Sequence, residues 1–241
     1  MRHRNSGKLI SVLTILTLHF SSVSAQDGYY DGGVWEFIFG LYGWGISMNG
    51  QTGIGDNIID VDLSFDDLSK FNNRSFAGRF EAAKGRWAYF LDIQFGSLQA
   101  ADLTSTQDVN INTFEAGIAY IIAGRLEGIL GARYQTFNSD FASTGAPPES
   151  ISQNWFDPYV GGRLIIPLGS LFFATVRGDV GGFGVGSDFS YNGIGSLGIQ
   201  LGNISIAAFY RVFDVKYTND RDRFLWDITQ AGPGAMFVVH F

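Results

Sequence analysis

The sequence predicts a closed antiparallel transmembrane β-barrel of about ten strands, with eight or twelve as the alternatives. Three observations predict it: an export leader, a composition poor in charge and rich in glycine and aromatics, and a chain of alternating segments joined by connections that are in turn short and long.

The leader comes first. Arg2, Arg4 and Lys8 form a basic start, Leu9 to Phe20 is apolar, and Val23-Ser24-Ala25 places small residues where a signal peptidase reads. Residues 1–25 are therefore expected to be a cleaved signal peptide, 26–34 a short periplasmic lead-in, and 35–241 the barrel. Removing Arg2, Arg4 and Lys8 from the 16 bases leaves 13 against 23 acids, a net charge of −10 for the mature chain. That balance argues against a nucleic-acid partner, which needs a basic face. There is no cysteine, so an exported chain must hold together by backbone pairing and packing.

Composition narrows the class. Charged residues are 16% of the chain, against roughly 25% in a soluble domain. No mature segment is apolar for the roughly 18 residues that a spanning helix needs. Alternation at period two is what remains. In hydrocarbon every peptide group needs a partner, and a closed sheet supplies them all.

The strands are expected at 35–46, 75–84, 87–97, 109–122, 124–137, 155–168, 170–181, 187–201, 203–217 and 227–241. Four connections are tight and contain Gly85, Gly124, Gly169 and Gly202, residues suited to positive φ. The others, 47–74, 98–108, 138–154, 182–186 and 218–226, are longer and alternate with them. In outer-membrane barrels short turns face the periplasm and long loops face outside. Both termini then lie in the periplasm, and the strand number is even.

Period two assigns the faces. Leu126, Leu130, Ala132 and Tyr134 oppose Arg125, Glu127, Arg133 and Gln135; Ile204, Ile206, Ala208, Tyr210 and Val212 oppose Ser205 and Arg211. A charge facing lipid at mid-depth costs about 2–4 kcal/mol, so the charged faces are read as luminal. A secreted β-sandwich would need the opposite arrangement, polar outside and apolar inside. Trp35, Trp87, Tyr120, Tyr134, Trp155 and Tyr210 are read as interfacial girdles. Phe237, Val239 and Phe241 alternate to the last residue and are read as the strand signal for the outer-membrane assembly machinery.

The luminal charge network is expected to hold Arg79, Glu81, Asp92, Glu115, Arg125, Glu127, Arg133, Arg163, Arg177, Asp179 and Arg211, with Glu36 and Asp157 on the same parity. Every base is arginine, whose planar fork suits bidentate carboxylate pairing in a confined space. The expected result is a paired network that plugs the bore. Near-balanced charge weakens an ion-selective pore, which uses a ring of one sign. In 47–74, an alternating run over 59–65 precedes Phe65, Leu68 and Phe71. Their spacing predicts one or two helical turns capped by Ser64 or Asp66. The acids between Asp56 and Asp67 do not fit a calcium loop: counted from Asp60, Phe65 and Phe71 occupy the glycine and bidentate-acid positions.

Familiar enzyme chemistry is missing. His240 is the only histidine after the leader, and no serine is expected beside it, so Ser-His acyl transfer is not predicted. The run Gly181-Gly182-Phe183-Gly184-Val185-Gly186 lacks the lysine and helix of a phosphate loop and reads as an extracellular turn. Arg177-Gly178-Asp179 lies within a strand.

The stretches WFDPYVGGRLIIPLG (155–169), VRGDVGGFGVGSDFSYN (176–192), FEAAKGRWAYFLD (80–92) and YRVFDVKY (210–217) resemble a family of proteobacterial outer-membrane β-barrel proteins. The resemblance implies fold and location and brings no catalytic residue. The expectation is a non-enzymatic outer-membrane barrel with a structural or interaction role and a largely plugged lumen. The alternatives are a narrow passive channel for small solutes and a surface binder or adhesin acting through its loops. Expected partners are outer-membrane lipid, lipopolysaccharide and the assembly machinery. No cofactor or metal is expected, and the chain is expected to be a monomer.

Overall fold

The computed structural model describes residues 33–70, 72–101, 105–145 and 147–241. The leader and most of the lead-in lie outside the described residues, as does Phe71.

Strand β1 (Glu36–Trp44) is followed by a hairpin, β2 (Ser47–Ile54) and β3 (Asn57–Leu63), and by a short helix α1 (Phe65–Lys70). Then come β4 (Asn72–Lys84), β5 (Trp87–Ala101), β6 (Ser105–Ala123), β7 (Leu126–Ser143), β8 (Glu149–Leu168), β9 (Phe172–Gly181), β10 (Phe189–Leu201), β11 (Ile204–Asn219) and β12 (Phe224–His240). From β4 to β12 each strand pairs antiparallel with the next. β1 pairs with β4 on one side and β12 on the other, Phe39 standing opposite Phe80 and Val239. Ten strands thus close the wall, and β2 and β3 are added to it.

Glycine shapes the four tight turns, where Gly85, Gly124, Gly169 and Gly202 have φ of 63°, 53°, 82° and 61°. An L side chain there would press on the carbonyl that follows. The connections expected at 98–108, 138–154 and 218–226 are shorter than the sequence reading made them, whereas the one after Gly181 runs on to Phe189 and is longer than the expected 182–186. β6 begins at Ser105 and β8 at Glu149, so the wall rises well beyond the predicted strands at one end.

The largest difference lies in 47–74, read from sequence as a loop. It contains a hairpin, a helix and the start of β4. β12 is long enough to serve two partners: Gly234 to His240 pair with β1, and Phe224 to Ala231 pair with β2. Between the two stands Pro233. Its carbonyl accepts a hydrogen bond from Gly45 N at 2.8 Å. Its missing N–H would face the same side, so the ladder breaks there. Pro158 acts alike in β8: its carbonyl accepts from Gly182 N at 3.0 Å, and β9 pairing stops beside it at Tyr159–Gly181.

Helix α1 begins with a reciprocal cap, and Ser64 is the residue that makes it. Asp67 N donates to Ser64 Oγ at 3.1 Å, while Ser64 N and Oγ donate to Asp67 Oδ2 at 3.2 and 2.6 Å. Leu68 is buried against the cluster that contains Met48, anchoring the helix, whereas Phe65 is exposed.

The outer surface is apolar. In β11, Ile204, Ile206 and Tyr210 are exposed while Ser205, Ala207, Phe209 and Arg211 are buried. The same alternation exposes Phe37, Phe39 and Leu41 of β1 and Leu126, Leu130 and Tyr134 of β7.

Candidate functional site

Inward-facing side chains occupy the bore in three tiers. The first, toward the long connections, is aromatic. Trp155 stacks on Tyr217 at 4.5 Å between centroids, and Phe137 meets Trp226 at 4.9 Å and Phe224 at 5.6 Å. β9 and β10 stop below this level, so β8 is tied directly to the β11–β12 turn. Gln153 accepts from Asn219 Nδ2 and donates to Asp222 Oδ2, both at 2.9 Å. Trp155 is therefore not in the girdle as expected: it is 5% exposed and points inward. It lies opposite Gln135 and two residues from Asp157, and period two places all three on one face. Trp35, Trp87, Tyr134 and Tyr210 do face outward.

The second tier is the charge network. Strand register lays Arg79, Asp92, Glu115, Arg133 and Asp157 in one row across β4 to β8. Arg133 is fully buried; its Nε donates to Glu115 at 2.8 Å and its Nη2 donates to Asp179. Arg177 donates to the other Glu115 oxygen at 2.6 Å and pairs with Asp179 at 3.1 Å. Arg163 joins Glu127 at 2.5 Å to Glu81 at 2.7 Å, and Arg79 donates to Glu81 at 3.0 Å and lies 3.8 Å from Asp92. Asp157 accepts from Ser187 N at 2.7 Å and Ser187 Oγ at 2.8 Å, anchoring the glycine-rich turn after β9.

Arg211 is the exception within the network. Its guanidinium donates to amide oxygens, Asn192 at 2.8 Å and Gln94 at 2.9 Å, and lies over Trp44 at 4.7 Å and Phe213 at 5.1 Å. Arg125 stands in the β6–β7 turn, and Glu36 opens β1, both half-buried. Sequence reading missed the neutral members. Tyr42 donates to Asp92 at 2.6 Å, Tyr159 to Glu115 at 2.9 Å and Asn192 to Asp179 at 2.9 Å. Inward parity was their only signal.

The third tier, toward the short turns, is part packed and part open. Ala83, Ala88, Phe90, Ala119 and Ile129 fill the β4–β7 side. On the side of β9 to β12 and β1 lies a cavity of about 160 Å³, with Ser205 and His240 in its lining. His240 has a serine neighbour after all: Ser205 Oγ is 2.8 Å from Nε2. Yet Ser205 Oγ donates its one proton to Gln200 Oε1 at 2.5 Å. The imidazole therefore donates to the hydroxyl, the reverse of what serine activation requires.

Phe237 and Phe241 are exposed on the outer face of β12, and Val239 shares their parity. Phe241 and Phe37 exchange backbone hydrogen bonds at 2.8 and 3.2 Å, extending the β1–β12 closure.

Strand pairing and sidedness define a closed antiparallel β-barrel with an apolar exterior and a charge-paired, aromatic interior. No family model and no curated protein matches the chain. Among solved structures it is similar to Ail, the attachment invasion locus protein of Yersinia pestis, at 13% identity and TM-score 0.43, over 86% of this chain and 99% of that one. It is also similar to the transport unit of the autotransporter AIDA-I from Escherichia coli, at 13% identity and TM-score 0.38, over 88% and 91%. The P. putida toluene transporter TodX follows at 10% identity and TM-score 0.28, over 88% and 90%. Likeness at this level carries no argument, and the barrel assignment rests on the pairing itself.

Proposed function

We propose that this chain is a non-enzymatic barrel of a Gram-negative outer membrane, exported on residues 1–25 and closed to solutes. It sits in lipid and lipopolysaccharide as a monomer and serves a structural or interaction role. One observation carries the reading: the protein's own buried side chains cross the bore in two consecutive tiers, with a pocket of about 120 Å³, lined by Met48, Leu68 and Ile111, left beside the aromatic one. The charge tier is fixed by Arg133 and Asp179, both buried, and the aromatic tier by Trp155, Phe224 and Trp226, also buried. The apolar exterior supports the lipid location, because a contiguous apolar surface of that extent is rare on a soluble monomer.

Planar-bilayer recording of the refolded protein tests it. The expected record has no reproducible conductance steps. Stable steps of one size would overturn the closed reading in favour of a narrow channel.

A second reading has its own observation. At the long-connection end, Phe183 and Val185 in the glycine-rich turn and Ile58 and Ile59 in β3 are exposed. Apolar tips held on a rigid wall suit a surface binder. Replacing all four by serine is expected to abolish attachment to host cells if this reading holds.

A further inference from the structure

We propose that the cavity in the third tier binds a small uncharged molecule with one ring and one hydrogen-bonding group, phenol being the simplest case. This goes beyond the closed-barrel reading and needs no passage through the bore.

The size is suitable. The cavity is about 160 Å³, and an engineered apolar cavity of roughly 150 Å³ takes up benzene. The wall is largely apolar: Ile38, Phe173, Ala207, Phe209, Met236 and Val238 line it. Ile38, Phe173, Met236 and Val238 face inward yet are only half-buried, because they border open space rather than packed neighbours.

The polar groups select the ligand's chemistry. Thr175 and Ser196 stand directly opposite each other across β9 and β10, and both line the cavity. Neither hydroxyl makes a hydrogen bond to another described residue. A ligand hydroxyl between them would donate to one and accept from the other.

Charge argues against an ion. Glu81, Asp92 and Glu115 line the cavity beside Arg79, Arg163, Arg177 and Arg211, so the lining presents no strong field of one sign to draw in an ion. Arg79, Arg163 and Arg177 are already paired with these carboxylates or their neighbours, and Arg211 is held by amide oxygens and ring faces. A cation would find each carboxylate already committed to a donor.

Binding is read by equilibrium dialysis on the barrel in lipid nanodiscs, with empty nanodiscs subtracted. Phenol is expected to saturate at one molecule per barrel and to bind more tightly than benzoate at neutral pH. Thr175→Val keeps the side-chain shape and removes one hydroxyl. It is expected to weaken phenol about fivefold, the value of one hydrogen bond, and to leave toluene unchanged. Ala207→Leu fills the space and is expected to weaken both at least tenfold. Tighter binding of benzoate, no saturable phenol binding, or equal phenol affinity in wild type and Thr175→Val would each overturn the proposal. Conductance plays no part in the measurement, so its failure is distinct from failure of the closed reading.

Discussion

Arg133 concentrates the energetics of the interior in one side chain. It is fully buried and bonded to Glu115 and Asp179, with its guanidinium 4.2 Å from the centre of the Tyr159 ring. Without it Glu115 and Asp179 share Arg177 alone, one buried carboxylate in excess, and breaking a buried pair costs about 3–5 kcal/mol. Arg133→Ala is therefore expected to lower unfolding stability by that amount, read from the urea midpoint of the refolded barrel. A change below about 1 kcal/mol would mean that water replaces the guanidinium without loss. At this scale the sequence was half legible. Parity put the arginines and carboxylates on the inner face, but not which reaches which. Arg163 stands opposite Arg177 in the register, and they avoid each other by reaching along the barrel to different carboxylates. Trp155 went astray because its residue type suggested an interface. Its distance of two from Asp157 was the stronger signal.

Elements are governed by what their backbones can and cannot donate. Pro158 and Pro233 each withhold an N–H where a neighbouring strand stops pairing, which frees β9 to turn away and breaks β1 from β2. Both prolines were visible in the sequence. The strand pattern ran through them, because alternation of side chains continues across a missing backbone bond. Helix α1 was legible from spacing and its cap, and β3 in part from the alternation over 59–65, whereas β2 was not: it is short, glycine-broken and mostly polar. Its existence depends on β12 offering a free upper edge. Ser64→Ala removes the Oγ that caps Asp67 N, a change worth about 1 kcal/mol. Faster proteolysis between 60 and 70, with unchanged mobility of the unheated barrel on gels, is the expected outcome. Equal cleavage rates would show that Leu68 packing alone holds the helix.

For the whole molecule, closure depends on one strand. β12 pairs with β11 along its full length, with β1 below Pro233 and with β2 above it. Phe241 adds two more backbone hydrogen bonds to Phe37 at the joint. Deleting Phe241 is expected to lower the amount of heat-modifiable, assembled barrel in cells severalfold while leaving synthesis unchanged, measured by blotting heated and unheated membranes. Unchanged assembly would remove the role assigned to Phe237, Val239 and Phe241. The fold was legible at this scale because hairpin parity and glycine turns are local. The aromatic tier was not, because it joins β7, β8, β11 and β12 across the bore.

The same joint sets the tempo of folding. Ile38 and His240 face each other although about 200 residues separate them along the chain, and contacts so remote are the slowest to form. Successive hairpins from β4 to β12 can zip as neighbours, each carrying its edge forward. The wall stays an open ribbon until its two ends meet, so the longest-lived intermediate should be a nearly complete sheet with β1 and β12 still apart.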